Sequence, residues 1–364
     1  MESYRIAVLP GDGIGIEVMH AAAAVLETVQ RRIGRILQLQ WLPAGAQHYL
    51  DSGVALPDAT LRHCEQADAI LFGAMGLPHV HGADGTEIIP QIDLRMHLDL
   101  YAGVRPIRTF EGLPTPLARP EAAHIDLVLV RENTEGLFYA RGRGDVRGDD
   151  EVRDTMRITR QGTARICEFA FRLAERRAAR SGRRGRVTNV DKANVFASMA
   201  FFRKVFEEVA ARHPQIAADS GYVDAMALNL VMKPWTYDVL VTENMFGDIL
   251  SDLIAALVGG MGMAPSGDIG DRYGLFQPAH GTAPDIAGQG KANPTAMLLS
   301  AAMMLEWLAG RSGDAALADG AAMIQHAVEQ VFASGQVRPM EFGGTDGTAA
   351  IAQAVAGALR PAHA

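Results

Sequence analysis

The stretch Val239–Leu253, VLVTENMFGDILSDL, most constrains what this chain can fold into. Val239, Leu240 and Val241 form a short apolar run of the kind that makes a buried strand. The chain then turns through Asn244 and Gly247 into a helix, with Ile249, Leu250, Leu253 and Ile254 expected on its buried side. The rest of the chain repeats this strand-to-helix pattern. Ile6–Leu9 reads as a strand, PGDGIG as a tight glycine turn, and Glu17 to about Arg31 as a helix with Val18, Met19, Ala22, Val25, Leu26 and Val29 inward. Further strands are expected at Ile36–Trp41, Ala69–Phe72, Asp126–Val130, Arg186–Asn189 and Asp238–Val241. Met297–Leu308 is apolar nearly all round and reads as a core helix. Strands alternating with helices imply an α/β fold with much parallel sheet. At 364 residues the chain has room for two domains or one large α/β unit.

Several classes are set aside. The net charge of −8 leaves no basic footprint for nucleic acid. No apolar run approaches the ~20 residues of a membrane span. The N-terminal MESYRIAVLPGDG has no signal-peptide layout, and Cys64 and Cys167 form no metal or redox motif, so a cytoplasmic, disulfide-free enzyme is expected. Gly11, Gly13 and Gly15 are spaced GxGxG rather than GxGxxG, which argues against a Rossmann nucleotide loop. His79 and His81 lie in a proline- and glycine-bounded loop with no third ligand nearby. The basic run Arg172–Arg186 reads as a helix end and surface loop, and Met261 and Met263 as packing residues.

The chemistry is carried by charged residues at strand ends. Asp248 and Asp252 are spaced i,i+4, so their carboxylates share one helix face about 6 Å apart at Cβ. Like charges there disfavour a helix unless a cation sits between them, and a hard ion such as Mg²⁺ or Mn²⁺ prefers oxygen ligands. Asp224, in YVDAMALNLV, heads another helical segment and is a third ligand candidate. Arg95, Arg105 and Arg131 suggest a pocket for an anion with more than one carboxylate, since guanidinium binds carboxylate as a fork. Lys192 follows a valine-rich strand and is a candidate proton carrier. The glycine-rich His280–Asn293 is too polar for core and reads as a binding loop.

Seven segments, in this order, carry a family resemblance: LPGDGIGIEV, LRMHLDLYAGVRP, RENTEG, DKAN, DAMALNLV, NMFGDILSDL and HGTAPDIAGQGKANP. Together they resemble the metal-dependent β-decarboxylating dehydrogenases acting on isocitrate, 3-isopropylmalate, homoisocitrate, and D-malate or tartrate. The resemblance implies an isopropylmalate/isocitrate dehydrogenase-like α/β fold, non-Rossmann, with two domains and the active site in the cleft between them. Residues 1–100 plus 259–364 would form a discontinuous cofactor-binding domain. Residues 101–258 would form the dimerisation and metal/substrate domain, with an arm at about 141–160 exchanged with the partner. It implies a homodimer with shared active sites. Arg95, Arg105 and Arg131 would hold the carboxylates of a malate-type dicarboxylate or tricarboxylate, with Gln91 and Asn194 beside the substrate. Asp248 and Asp252 would bind the metal with Asp224 of the other subunit, and Lys192 would work on the substrate hydroxyl from the other subunit. His280, Gly281, Thr282, Ala283, Asp285, Ile286 and Asn293 would hold the cofactor. A carboxylate at Asp285 suits ribose hydroxyls and repels a 2′-phosphate, which favours NAD over NADP.

Two departures from the family pattern stand out. The tyrosine expected seven residues after Arg131 is Phe138, and Tyr139 follows one place later. A phenyl ring has no proton to give. On a strand the two side chains would face opposite ways. Tyr139 takes over after a local shift, another acid or water serves, or decarboxylation is impaired. The stretch before Arg95, GTEIIPQID, lacks the serine and asparagine of isocitrate enzymes. Ile88, Ile89 and Ile92 suit an apolar substituent, Gln91 a polar one, and Glu87 lies near the glutamate of isopropylmalate enzymes. An oxidative decarboxylase of a 3-substituted malate is the leading reading, 3-isopropylmalate-like with D-malate and tartrate close behind. An isocitrate- or homoisocitrate-type substrate, a regulatory subunit without activity and a non-decarboxylating dehydrogenase are the alternatives.

Overall fold

The computed structural model describes residues 2–82, 85–182 and 185–360. In chain order the elements are β1 (Ser3–Gly11), α1 (Ile14–Ile33), β2 (Ile36–Trp41), α2 (Ala46–Ser52), α3 (Asp58–Gln66), β3 (Ala69–Ala74), α4 (Pro90–His97), β4 (Ala102–Arg108) and β5 (Asp126–Glu132). There follow β6 (Asp145–Arg147), β7 (Glu151–Arg153), α5 (Arg160–Ser181), β8 (Arg186–Asp191), α6 (Ala197–Ala210), β9 (Ala217–Tyr222), α7 (Val223–Met232), β10 (Val239–Thr242) and α8 (Asn244–Ala256). The chain closes with β11 (Pro265–Ile269), β12 (Gly274–Pro278), α9 (Thr295–Ser312), α10 (Ala315–Ala333) and α11 (Thr348–Ala358). It divides into one unit of Met1–Leu98, Phe110–Pro114 and Val258–Ala364, and a second of Asp99–Thr109 and Thr115–Leu257. Within the described residues no helix is long and apolar enough to cross a membrane.

In the first unit the strand order is β2-β1-β3-β12-β11. β3 is buried along its whole length, AILFGA, because it lies between β1 and β12 and is covered on both faces. β1 and β3 run parallel, while β11 and β12 form an antiparallel pair. The six apolar residues expected on the inner face of α1 are all buried. α9 packs on β12, β11 and α10 and is buried nearly all round, as its composition implies. In the second unit the order is β4-β5-β10-β8-β9, parallel except for β4 against β5. β10 sits between β5 and β8, so every residue of VLVT is buried.

Four strands of these sheets were not expected. β4 lies within a segment known only by its arginine. β9 reads AADSGY and β11 PSGDI, both poor in β-branched residues. They are strands because a neighbour offers its edge and helices cover them, which overrides intrinsic preference. β12 escaped notice as GLFQP between two glycine-rich loops. The strand-to-helix stretch itself differs in one respect. Asn244 and Gly247 belong to α8 rather than to the turn, because Glu243 caps the helix by accepting from Met245 and Phe246 N–H. Leu250 and Ile254 are buried as expected, but Ile249 is exposed. Of the basic run Arg172–Arg186, residues up to Ser181 extend α5, and residues 183 and 184 lie outside the described residues.

One corner of the first unit depends on charge. Asp314 caps α10 through Ala316 N–H and accepts a fork from Arg35, at 2.5 Å from Nε and 2.8 Å from Nη2, plus the Tyr4 hydroxyl at 2.9 Å. The Arg35 bonds hold its carboxyl well below the usual carboxylate range. A group with a lowered native pKa contributes stability above its unfolded pKa and loses it as pH falls through the native value. Asn keeps the cap but not the charge. The stability advantage of the wild type over Asp314→Asn is therefore expected to be complete at neutral pH and to close below about pH 4, read from unfolding midpoints across pH. A gap that is constant with pH would contradict this.

Candidate active site

The carboxylate-binding candidates of the second unit converge at one strand-to-helix junction. Arg131 is at the end of β5, beside Thr242 of β10 in register, and only 2% of its side chain is exposed. β10 runs through Glu243 into α8, which brings that helix's first turns to the guanidinium. Asn244 Oδ1 accepts from Nε at 3.2 Å and from Nη2 at 2.6 Å, and Asp248 Oδ1 accepts from Nη1. The arginine stem runs over Gly247, where a Cβ would lie 2.5 Å from Cγ, so only glycine leaves room. The Phe138 ring lies 4.9 Å from the guanidinium carbon. The strand end itself is pinned by Glu132, which accepts from the Thr134 and Glu135 N–H groups. Burial raises the Glu132 carboxyl above its usual range.

Asp252, one turn beyond Asp248, is on the exposed side of α8. Although its outer face meets solvent, partial desolvation and then the charge of Asp248 push its carboxyl up, against the pull of Arg105 and Arg131. Arg105 is buried on β4. Asp248, Asp252, Arg105 and Arg131 thus share one electrostatic neighbourhood.

Lys192 and Asp224 form a second, separate cluster of the same unit. β8 delivers Lys192 to its C-terminal end, and β9, parallel to it, leads through Tyr222 into α7 and Asp224. Lys192 Nζ donates to Asp224 Oδ1 at 2.6 Å, which holds that exposed carboxylate below its usual range. Beneath them Asp191, fully buried, accepts Arg203 Nε and Nη2 at 2.8 and 2.7 Å. This fixes the strand end that carries Lys192. Asn194 is exposed beyond it. Among the described residues no three His, Cys, Asp or Glu side chains come together as a metal site, so Asp224 does not join Asp248 and Asp252 within one chain.

In the first unit Arg95, in the last turn of α4, is buried and donates to Asp268 of β11 at 3.0 Å, which also accepts from Gln277. Gln91, one turn before it, has a buried, unpartnered Oε1. Ile88 packs with Ala46, Leu77 and Val80, so it belongs to the core rather than to a substrate pocket. Ile89 and Ile92 are half-buried and Glu87 is exposed. The loop from His280 to Asn293 is fastened at both ends. Thr282 donates to Gly76 O at 2.7 Å, and its carbonyl accepts from Ile14 N–H so closely that a Cβ on Gly13 (φ 56°) would meet it at 2.1 Å. Glu17 accepts from Gly290 and Ala292 N–H, and Glu341 accepts from Asn293 at 2.6 Å. Gly281 and Asp285 are exposed, Ile286 is half-buried, and Ala283 has φ 36°. His280 is half-buried, its Nδ1 on Gly281 O, and desolvation of the ring lowers its pKa.

Phe138 and Tyr139 are not on a strand but in a 3₁₀ turn, Leu137–Ala140, so the opposite-face argument does not hold for them. Tyr139 lies between the guanidinium groups of Arg157, 3.7 Å from its ring centroid, and Arg143, at 4.1 Å. Both cysteines are free and buried, and burial pushes the Cys64 thiol up to about 12, which leaves it inert. The residues that sequence reasoning missed are Asn244, Asp268 and Arg203. Asn244 was readable, since it is spaced i,i−4 from Asp248 on the same helix face. Asp268 and Arg203 carried no signal.

Comparison with known proteins bears on this arrangement. The isocitrate/isopropylmalate dehydrogenase family matches residues 5–355. The chain is 41% identical over 342 residues to a 3-isopropylmalate dehydrogenase of Moorella thermoacetica, covering 92% of each. It is 41% identical over 359 residues to a 3-isopropylmalate/3-methylmalate dehydrogenase of Methanocaldococcus jannaschii, covering 98% of this chain and 99% of the other. Among solved structures it is similar to an isocitrate dehydrogenase from Methylococcus capsulatus, with a TM-score of 0.85 and 36% identity over 98% of this chain and 99% of that one.

Proposed function

The chain belongs to the isocitrate/isopropylmalate dehydrogenase family, and on that premise we propose that it is an NAD- and divalent-metal-dependent enzyme of a 3-substituted malate, working as a homodimer with shared sites. That it is a 3-isopropylmalate-like decarboxylating dehydrogenase follows from relatives about 40% identical over most of the chain. The observation that carries the finer reading is the division of the second unit into two half-sites. Arg131, Arg105, Asp248 and Asp252 gather in one, Lys192 and Asp224 in the other, and the three aspartates do not meet in one chain. A second copy supplies the missing half. The apolar faces fit this. Leu228, Val231 and Met232 of α7 and Ile249 of α8 are exposed, and the isolated β6–β7 hairpin presents Val146 opposite Val152 to solvent.

The residues fit the groups they would hold. Two carboxylates at i,i+4, of which Asp248 pushes up that of Asp252, are relieved by a hard dication, with Asp224 of the partner copy as third oxygen donor. Bound, Mg²⁺ or Mn²⁺ would acidify the substrate hydroxyl and hold the enolate charge, and NAD would accept hydride from C2. Arg95, Arg105 and Arg131 bind and orient carboxylates. Lys192 takes the hydroxyl proton, its position set by Asp224 and by the strand end that Arg203 and Asp191 pin. Asp285 accepts from ribose hydroxyls, and Gly281, Thr282, Ala283, Ile286 and Asn293 shape the loop around the nucleotide with His280. Gln91 and Asn194 stand beside the substrate, with Ile92 the apolar neighbour at C3. We assign protonation of the enolate to Tyr139, since Phe138, the ring beside Arg131, cannot donate.

NADH formation is expected with Mn²⁺ and 3-isopropylmalate, tartrate, D-malate or isocitrate offered in turn. The highest kcat/KM should fall on a malate with an apolar C3 substituent, and NAD should be favoured over NADP by about tenfold or more. Equal use of the two nucleotides would remove the role given to Asp285. Tyr139→Phe is expected to slow loss of CO₂ from the ketone intermediate, offered directly, more than its reduction. A wild-type-like variant in both half-reactions would assign the proton to another donor.

A further inference from the structure

Asn244 is fully buried, and its amide oxygen takes two N–H groups of Arg131, at 3.2 and 2.6 Å. Its amide nitrogen is also buried and has no hydrogen-bond partner. Turning the amide over cannot repair this, because it would set –NH₂ against two guanidinium donors. A buried donor left unmade is a cost that native structures seldom carry without a reason. Aspartate has the same shape and would accept the same two guanidinium N–H groups, but it would add a charge and leave its second oxygen buried without a donor. What the amide alone offers is an acceptor that adds no countercharge.

Arg131 already holds the Asp248 carboxylate and pulls on those of Asp252 and Glu243. One more, bonded to it from position 244, would cancel much of its pull on an anionic substrate, whereas a neutral acceptor adds nothing against that pull. Asp248 also belongs to the proposed metal pair, so Asn244 is the acceptor with no second duty. We propose that Asn244 is a positioning residue for substrate binding, fixing the plane of the Arg131 guanidinium while leaving its positive charge to the substrate. The inference rests on the reading of Arg131 as a carboxylate-binding residue.

Asn244→Asp tests it in the full-length enzyme with Mn²⁺ and NAD, using the panel substrate of highest kcat/KM. The variant is expected to raise the KM for that substrate about tenfold or more and to leave the KM for NAD within about twofold. A purely structural asparagine predicts unchanged KM values, and that result would overturn the inference. Should the aspartate prevent folding, Asn244→Ser, which shortens the acceptor without adding charge, is expected to raise the same KM selectively, and an unchanged KM there would equally overturn it. Arg131→Lys separates the two levels. If it leaves the substrate KM unchanged, the reading of Arg131 itself has failed. If it raises that KM while the Asn244 variants do not, only the present inference falls.

Discussion

The proposed chemistry of the second unit depends on one guanidinium placed where water scarcely reaches it. Arg131 keeps 2% of its side chain exposed, and a buried cation is tolerated only with partners in good geometry. Those partners, Asn244 and Asp248, come from the first two turns of a single helix. That helix starts where it does because β10, paired in register with β5, ends beside Arg131 and because Glu243 caps the first turn. Strand pairing, cap and ion pair therefore specify one another. Moving α8 by one residue would turn both acceptors away, and Gly247 would no longer meet the arginine stem.

How much of this could be read from the chain depends on the range of the interaction. The β1–α1 unit, the all-round apolar α9 and the shared face of Asp248 and Asp252 are local patterns, and periodicity alone revealed them. Arg131 at a strand end was legible for the same reason. The Lys192–Asp224 contact joins residues 32 apart and arises from the parallel pairing of β8 with β9, a weakly apolar strand that local preference does not announce. Asp268 beneath Arg95 was hidden because PSGDI has little strand preference of its own and becomes a strand by pairing with β12. Phe138 and Tyr139 lie in a 3₁₀ turn that starts after Gly136 with its positive φ, a conformation the motif does not announce. That places the phenyl ring on Arg131 and the Tyr139 ring beside Arg143 and Arg157.

The resemblance and the geometry answer different questions. Family membership identifies the reaction class, while the two half-sites within one unit give a physical reason for pairing two copies. Lys192 and Asp224 neutralise each other in the single chain, and Arg131 and Asp248 do the same. On the proposed reading each ion pair is a resting partner that opens toward substrate and metal when the second copy arrives. On the same reading the exposed apolar residues of α7 and α8 would supply the association energy, since apolar patches of this kind mark interaction sites.

Subunit complementation tests the central claim of shared sites most directly. Lys192→Ala and Asp252→Asn homodimers should each be inactive, because every site lacks one half. Mixed at equal amounts under conditions that exchange subunits, they should recover roughly a quarter of wild-type activity, since half the dimers are hybrids and each hybrid holds one intact site. A mixture of verified hybrids that remains inactive would contradict the account, because it would place Lys192 and Asp252 in a site built by one chain.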